Sequence, residues 1–297
     1  MLYNNLSAYL REKYGRRLKK ICIDGGFSCP NRDGKCGTGG CIFCGERGSG
    51  EHIDALLSIK DQVKGALLCA KEEDIFIAYF QNFTNTYAEI DVLKARYDEA
   101  LIDKRIRILS VGTRPDCIDE DVAKLLASYK ERLDDVWVEL GLQTSNESTA
   151  KIINRGYTNE CFERAIGILK AYGIKVIVHM IIGLPSEEGR DALESAKYIG
   201  AFSPFGVKIH SIYVMRGTKL ASLYENNLYT PPTLEEYIDT AARVIASLPK
   251  SIILHRLTGD CPRDMLIAPD WNTDKMKVID LITKRLEELG LSQGSLI

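Results

Sequence analysis

The sequence predicts an α/β fold, a partial (βα)6-type TIM barrel with a C-terminal extension. Two observations carry the prediction. Short β-branched runs of nearly continuous apolar character alternate with amphipathic stretches of helical period, and the polar motifs fall directly after the strand runs. A strand covered on both faces reads as an unbroken apolar run, and the helices between such strands make their neighbours parallel. An open doubly wound sheet is the second choice.

In chain order, a helix is expected within residues 1–15. Expected strands are Leu18–Asp24, Ile75–Phe80, Arg107–Val111, Asp135–Leu142, Lys175–Ile182 and Val207–Val214, with Ser251–His255 as a weaker seventh. Between and after them, helical period is expected over Ile53–Ala70, Glu89–Leu101, Asp119–Glu131, Cys161–Tyr172, Glu187–Gly200, Leu234–Leu248 and Asp274–Leu289. The barrel core is expected over residues 18–215 and the extension over 216–297, all in one domain. In a βα barrel the loops after the strands share the carboxyl-end face, so motifs far apart in sequence converge there.

The chain has 297 residues, 45% of them hydrophobic and 27% charged, enough for a large core. No apolar run approaches the roughly 18 residues a membrane span needs. The start, Met1-Leu2-Tyr3-Asn4-Asn5, shows no basic region followed by an apolar one. Nine cysteines without an export signal suit a reducing compartment, hence a cytoplasmic protein with thiol or metal chemistry. The net charge of −2 gives no global footprint for nucleic acid, although a local patch can still serve.

Cys29, Cys41 and Cys44 lie in one glycine-rich loop after the first expected strand, with Cys36 between them. Three thiolates can hold a four-iron cluster and leave one iron open, whereas four thiolates close a metal off. Zinc with Cys36 as fourth ligand and an iron–sulfur cluster both fit this loop. Gly34, Gly37, Gly39 and Gly40 permit tight turns and leave amides free for sulfur.

With the segments that follow it, this loop resembles that of the radical S-adenosylmethionine (SAM) enzymes. More narrowly it is similar to the bacterial YhcC/YtqA-type family, relatives of the catalytic subunit of Elongator. The matching letters are Cys29-Pro-Asn-Arg-Asp-Gly34 and Gly39-Gly-Cys41-Ile-Phe-Cys44, and the resemblance runs over residues 1 to 290 or so. It implies a [4Fe–4S] cluster held by Cys29, Cys41 and Cys44, with Cys36 a bystander. It implies SAM as cofactor, a 5′-deoxyadenosyl radical as product of its reductive cleavage, and an electron donor such as flavodoxin or ferredoxin.

A SAM pocket needs groups for the methionyl amine and carboxylate, the ribose and the adenine. Thr84 and Asn85 stand by position where related enzymes contact the amino group; they also suit a helix N-cap. Glu139, a lone carboxylate in Trp137-Val-Glu-Leu-Gly-Leu-Gln143, must be paired or functional. The resemblance places Glu139 and Gln143 at the SAM or substrate pocket and Arg155 on the carboxylate. His179 is expected to face the ribose or to be a satisfied core residue, and Gly183 to let adenine approach. For the substrate, Arg114 and Asp116 either read it or pair with each other; Tyr213 and Arg256 follow later strands, with Arg216, Arg263, Tyr87 and Trp271 as further rim residues. Cys117 and Cys261 are thiols expected near the mouth.

The resemblance implies tRNA as substrate, at the C5 substituent of the wobble uridine. With the chain ending at residue 297, no acetyltransferase domain is expected. An anionic metabolite, as in porphyrin synthesis, is the alternative, and a zinc-stabilised non-catalytic module the third reading.

Overall fold

The computed structural model describes residues 2–48, 53 and 56–297. The first residue of the expected N-terminal helix, and residues 54 and 55 of the helix expected from Ile53, lie outside the described residues. Seven parallel strands form a half-barrel sheet: β1 (Lys19–Ile23), β2 (Phe76–Phe80), β3 (Ile106–Thr113), β4 (Asp135–Gln143), β5 (Lys175–Ile182), β6 (Gly206–Ser211) and, after a two-residue strand β7 (Val214–Met215), β8 (Ile253–Arg256). The sheet order is β1-β2-β3-β4-β5-β6-β8, so each strand lies beside its predecessor, as winding in one direction requires, and the doubly wound alternative is not adopted. The expected six units become seven, because the weak run at Ser251–His255 completes the sheet.

Alternation along each strand sorts the residues into two sets. On β4, Val136, Val138, Leu140 and Leu142 join the large core under the helices, while Trp137 joins a separate interior cluster and Glu139, Gly141 and Gln143 line a cavity. On β5, Val176, Val178, Met180 and Ile182 pack outward, Ile177 joins the interior cluster, and His179 and Ile181 face the cavity. The outer layer holds α2 (Ile59–Leu67), α3 (Ile90–Ala100), α4 (Glu120–Ser128), α6 (Asn159–Ala171) and α7 (Gly189–Ala201), with the short α5 (Glu147–Ile152) before α6. The first helix, α1 (Leu6–Tyr14), is the plug. Its Leu10 packs with Ile77, Ile108, Trp137 and Ile177, which closes the amino end of the barrel and leaves the carboxyl end open.

The expected strand Val207–Val214 breaks after Ser211. β7 turns away to pair antiparallel with β9 (Leu266–Ala268), and Gly259 packs against the break, its N–H donating to Ser211 Oγ at 2.7 Å. The extension also supplies α8 (Lys219–Glu225), α9 (Leu234–Ala246) and α10 (Lys275–Glu288). Neither the β7–β9 pair nor the short helices α5 and α8 carry a period long enough to read from sequence. The extension is tied back to the amino terminus: buried Gln293 accepts from Asn4 N and donates to the carbonyls of Pro249 and Ile252. Among the described residues no helix is long and apolar enough to cross a membrane.

Candidate active site

The cysteine loop is built by its own backbone. Arg32 N bonds Cys29 O at 2.8 Å, Cys36 N bonds Pro30 O at 2.8 Å, and Gly40 N bonds Asn31 O at 2.8 Å. Gly39 and Gly40 both take left-handed φ angles, 77° and 73°, immediately before Cys41, and a Cβ on Gly40 would stand 3.0 Å from Arg32 Nε. Arg32 donates to the carbonyls of Cys44 and Gly45 from beneath the loop.

The sulfurs of Cys29, Cys41 and Cys44 belong to one end of a cavity of about 610 Å³ that occupies the open interior of the half-barrel. Cys41 and Cys44 are hydrogen-bonded to each other. That bond pushes the Cys41 thiol well up and brings Cys44 down to about 7, with Arg32 and Arg114 adding positive charge. Cys36 is exposed and turned away, with its Sγ 3.6 Å from Asp116 Oδ2. Among the described residues no three His, Cys, Asp or Glu side chains are gathered as they are around a single metal ion.

The other end of the cavity is polar and charged. Glu139 on β4 accepts from Lys208 on β6, from His179 Nε2 on β5 at 2.7 Å and from Ser110 Oγ on β3 at 3.0 Å. Burial opposes ionisation of Glu139, yet Lys208 and His179 hold its carboxyl well below the usual range. Burial, then the Lys208 charge, brings His179 down to about 4, so its imidazole is neutral. Lys208 also donates to Tyr79 OH at 3.2 Å. Lys20 and Arg256 complete this end, and His210 packs tilted against His179 with ring centroids 5.0 Å apart.

Two comparisons fix the family. The model described as the radical SAM superfamily matches residues 34–199, and that of its C-terminal domain matches residues 204–288. The chain belongs to the radical SAM superfamily. It is 37% identical over 296 residues to the uncharacterized protein YtqA of Bacillus subtilis, covering 98% of this chain and 92% of that one. It is 35% identical over 294 residues to YhcC of Escherichia coli, covering 99% and 95%. Elongator complex protein 3 of Drosophila melanogaster is 28% identical over 235 residues, 76% of this chain and 41% of that protein. Among solved structures, archaeal Methanocaldococcus infernus Elp3 superposes with a TM-score of 0.70 at 20% identity, covering 93% of this chain and 64% of that one, a likeness of fold.

The cofactors that come with membership are a [4Fe–4S] cluster and SAM. The radical SAM loop fits a cluster on its own chemistry: the three thiols of Cys29, Cys41 and Cys44 line the same cavity. SAM also finds suitable partners. Thr84 lines the same cavity with a buried hydroxyl that has no hydrogen-bond partner among the described residues. Gln143 lines it from a left-handed φ of 64°, a conformation costly for a non-glycine residue and held here by the Tyr157 hydroxyl on its Oε1 at 3.0 Å.

The structure sorts the residues expected from sequence. Thr84, Glu139, Gln143, His179, Arg114, Tyr213 and Arg256 line the cavity with the three cysteines. Four others lie outside the cavity lining. Arg155 is fully buried; its guanidinium donates to the carbonyls of Leu142, Thr144 and Tyr157 and to Asn159 Oδ1, so its fork is already filled. Asn85 donates to Gly112 O. Asp116 is taken by Arg114 through two hydrogen bonds of 2.9 and 2.8 Å, the pairing that was one of its two expected roles. Gly183 takes a left-handed φ of 93°, a Cβ there would meet Pro232 at 2.7 Å and Ile212 at 2.8 Å, and its carbonyl accepts from Tyr229 OH. Of the rim residues, Trp271 is stacked on Tyr237 with its Nε1–H on Pro232 O. Sequence reasoning missed Lys208, Tyr79 and Lys20. The available signal was the same one that marked Glu139: a single charge inside an apolar strand, here Val207-Lys208-Ile209.

Proposed function

We propose that this protein cleaves SAM reductively and modifies the C5 side chain of the wobble uridine of tRNA. When bound, the cluster held by Cys29, Cys41 and Cys44 supplies the electron that splits SAM to a 5′-deoxyadenosyl radical. Thr84 and Gln143 orient SAM from the strand ends beside the loop. The half-barrel wall and the α1 plug keep water from the radical's surroundings. The observation that carries the reading is the single cavity with three thiols at one end and a buried Glu139–Lys208–His179 set at the other, room for a cofactor and a substrate group together. The tRNA part is supported by the resemblance of the loop to that of Elongator's catalytic subunit and by the 28% identity to Elongator complex protein 3. A base flipped from a single-stranded anticodon loop suits the open mouth. A flavodoxin or ferredoxin is the expected electron donor.

The test is anaerobic. Protein reconstituted with iron and sulfide is given dithionite and SAM, and 5′-deoxyadenosine is quantified with and without bulk tRNA, beside Cys41→Ala. Product that needs Cys41 and rises with tRNA supports both halves. Product indifferent to tRNA removes the tRNA half. No product from protein that holds its cluster overturns the reading.

A further inference from the structure

Asn31 and Arg32 follow Cys29-Pro30, and both side chains turn back onto the cysteine loop. Asn31 is fully buried; its amide nitrogen donates to Asn154 O at 2.6 Å and lies 3.9 Å from Cys41 Sγ. Arg32 is half-buried and lines the cavity beside Gly40, Cys41 and Cys44. Its guanidinium donates to the carbonyls of Cys44, at 3.4 Å, of Gly45, and of Glu46, at 3.5 Å. Its Cζ lies 5.3 Å from the centre of the Phe83 ring. Gly40, the chain neighbour of Cys41, admits it: a Cβ there would stand 3.3 Å from Arg32 Cζ. Every acceptor of this guanidinium among the described residues is a backbone carbonyl, so no carboxylate neutralises its charge. Arg114, which also lines the cavity, is paired with Asp116. Asp33, Lys35, Glu46 and Lys219 are exposed, where solvent screens them.

We propose that Arg32 raises the reduction potential of the cluster held by Cys29, Cys41 and Cys44, and so eases entry of the electron that SAM cleavage needs. The inference rests on that ligand assignment. One electron from a flavodoxin- or ferredoxin-type donor adds a negative charge to a three-thiolate cluster that is already anionic, in a cavity that solvates it less well than water does. A cation fixed beside Cys41 and Cys44 favours the more negative form. The carbonyls alone do not call for an arginine, since a neutral amide can donate to them, whereas only a cation offsets the added charge. Solvent reaches Arg32, which puts the effect at the low end of what a neighbouring opposite charge does.

The experiment is a redox titration, followed by electron paramagnetic resonance, of the reconstituted wild type, Arg32→Gln and Arg32→Lys. It is run without SAM, with iron and sulfide counted per chain. Arg32→Gln removes the charge and keeps an amide donor; Arg32→Lys keeps the charge. All three are expected to hold the same iron. In Arg32→Gln the equilibrium constant for one-electron reduction is expected to fall about tenfold, about 59 mV in midpoint. Arg32→Lys is expected to stay within about threefold of the wild type, because an ammonium supplies the same point charge. Arg32→Gln with a full cluster and the wild-type midpoint overturns the proposal. So does Arg32→Lys displaced as far as Arg32→Gln, since charge is then not the cause. Loss of iron from Arg32→Gln assigns Arg32 to holding the loop and also overturns it. Wild type that takes up no iron overturns the ligand assignment, and the proposal with it.

Discussion

Glu139 on β4 and Lys208 on β6 reach each other across β5, and each is at most 2% exposed. An ion pair at such depth is held by geometry and by its further partners, here Ser110, His179 and Tyr79. Removing one member leaves the other charge buried alone. Lys208→Met is therefore expected to lose about 3–5 kcal/mol of stability. Glu139→Gln combined with Lys208→Met is expected to lose less than Lys208→Met alone. Anaerobic urea unfolding of the two variants and the wild type checks the order, and a double variant weaker than the single would overturn it.

The cysteines are expected to divide three to one. Cys29→Ala, Cys41→Ala and Cys44→Ala should each abolish stable iron incorporation, because each removes a thiol from the cavity end. Cys36→Ala should keep wild-type iron content and absorption, since Cys36 Sγ faces Asp116 outside the cavity. Iron and sulfide per chain after reconstitution decide it. Loss of iron in Cys36→Ala would restore Cys36 as a ligand.

Much of this arrangement was legible in sequence because strand alternation and loop position are local signals. Continuous apolar runs located the strands within a residue or two, except that Val207–Val214 overran β6 by three, and the strand ends and following loops carried Cys29, Thr84, Arg114 and Gln143 to one cavity. Glu139 stood out because a lone charge in an apolar run must find a partner. What stayed hidden was which partner. Lys208 lies 69 residues further on, and only the β4–β5–β6 order brings the two together. Arg155 shows the opposite case. Its spacing from Gln143 was right for a loop near the site, but the direction of its side chain is set by the carbonyls left open after β4, which no sequence period reports.

Arg155 is accordingly expected to act as a clamp. It ties the end of β4 to the start of α6 through Leu142, Thr144, Tyr157 and Asn159. Arg155→Met should lower stability by about 3 kcal/mol or more, since it leaves several buried acceptors unpaired. Arg155→Lys should recover little, because an ammonium lacks the planar fork. The KM for SAM in the remaining folded protein should stay near wild type. A SAM KM raised more than about tenfold with stability unchanged would return Arg155 to the cofactor.

Glu187 gives a pH dependence whose sign is opposite to that of an ordinary paired carboxylate. It is half-buried, and its Oε1 accepts from Thr144 Oγ1. Burial, with Asp191 adding negative charge, raises it to about 7 against the help of Thr144 and Thr149. The folded state thus holds this proton more tightly than the unfolded chain, where a glutamate titrates near 4.5. Stability from this group is complete below about 4.5 and falls as pH rises toward 7. Glu187→Gln, which stays neutral and keeps an acceptor for Thr144, should be more stable than wild type by about 1–3 kcal/mol at pH 8 and by little at pH 5. Urea unfolding at the two pH values measures the difference. A variant equally stable relative to wild type at both would mean that Glu187 meets water or a cation when it ionises.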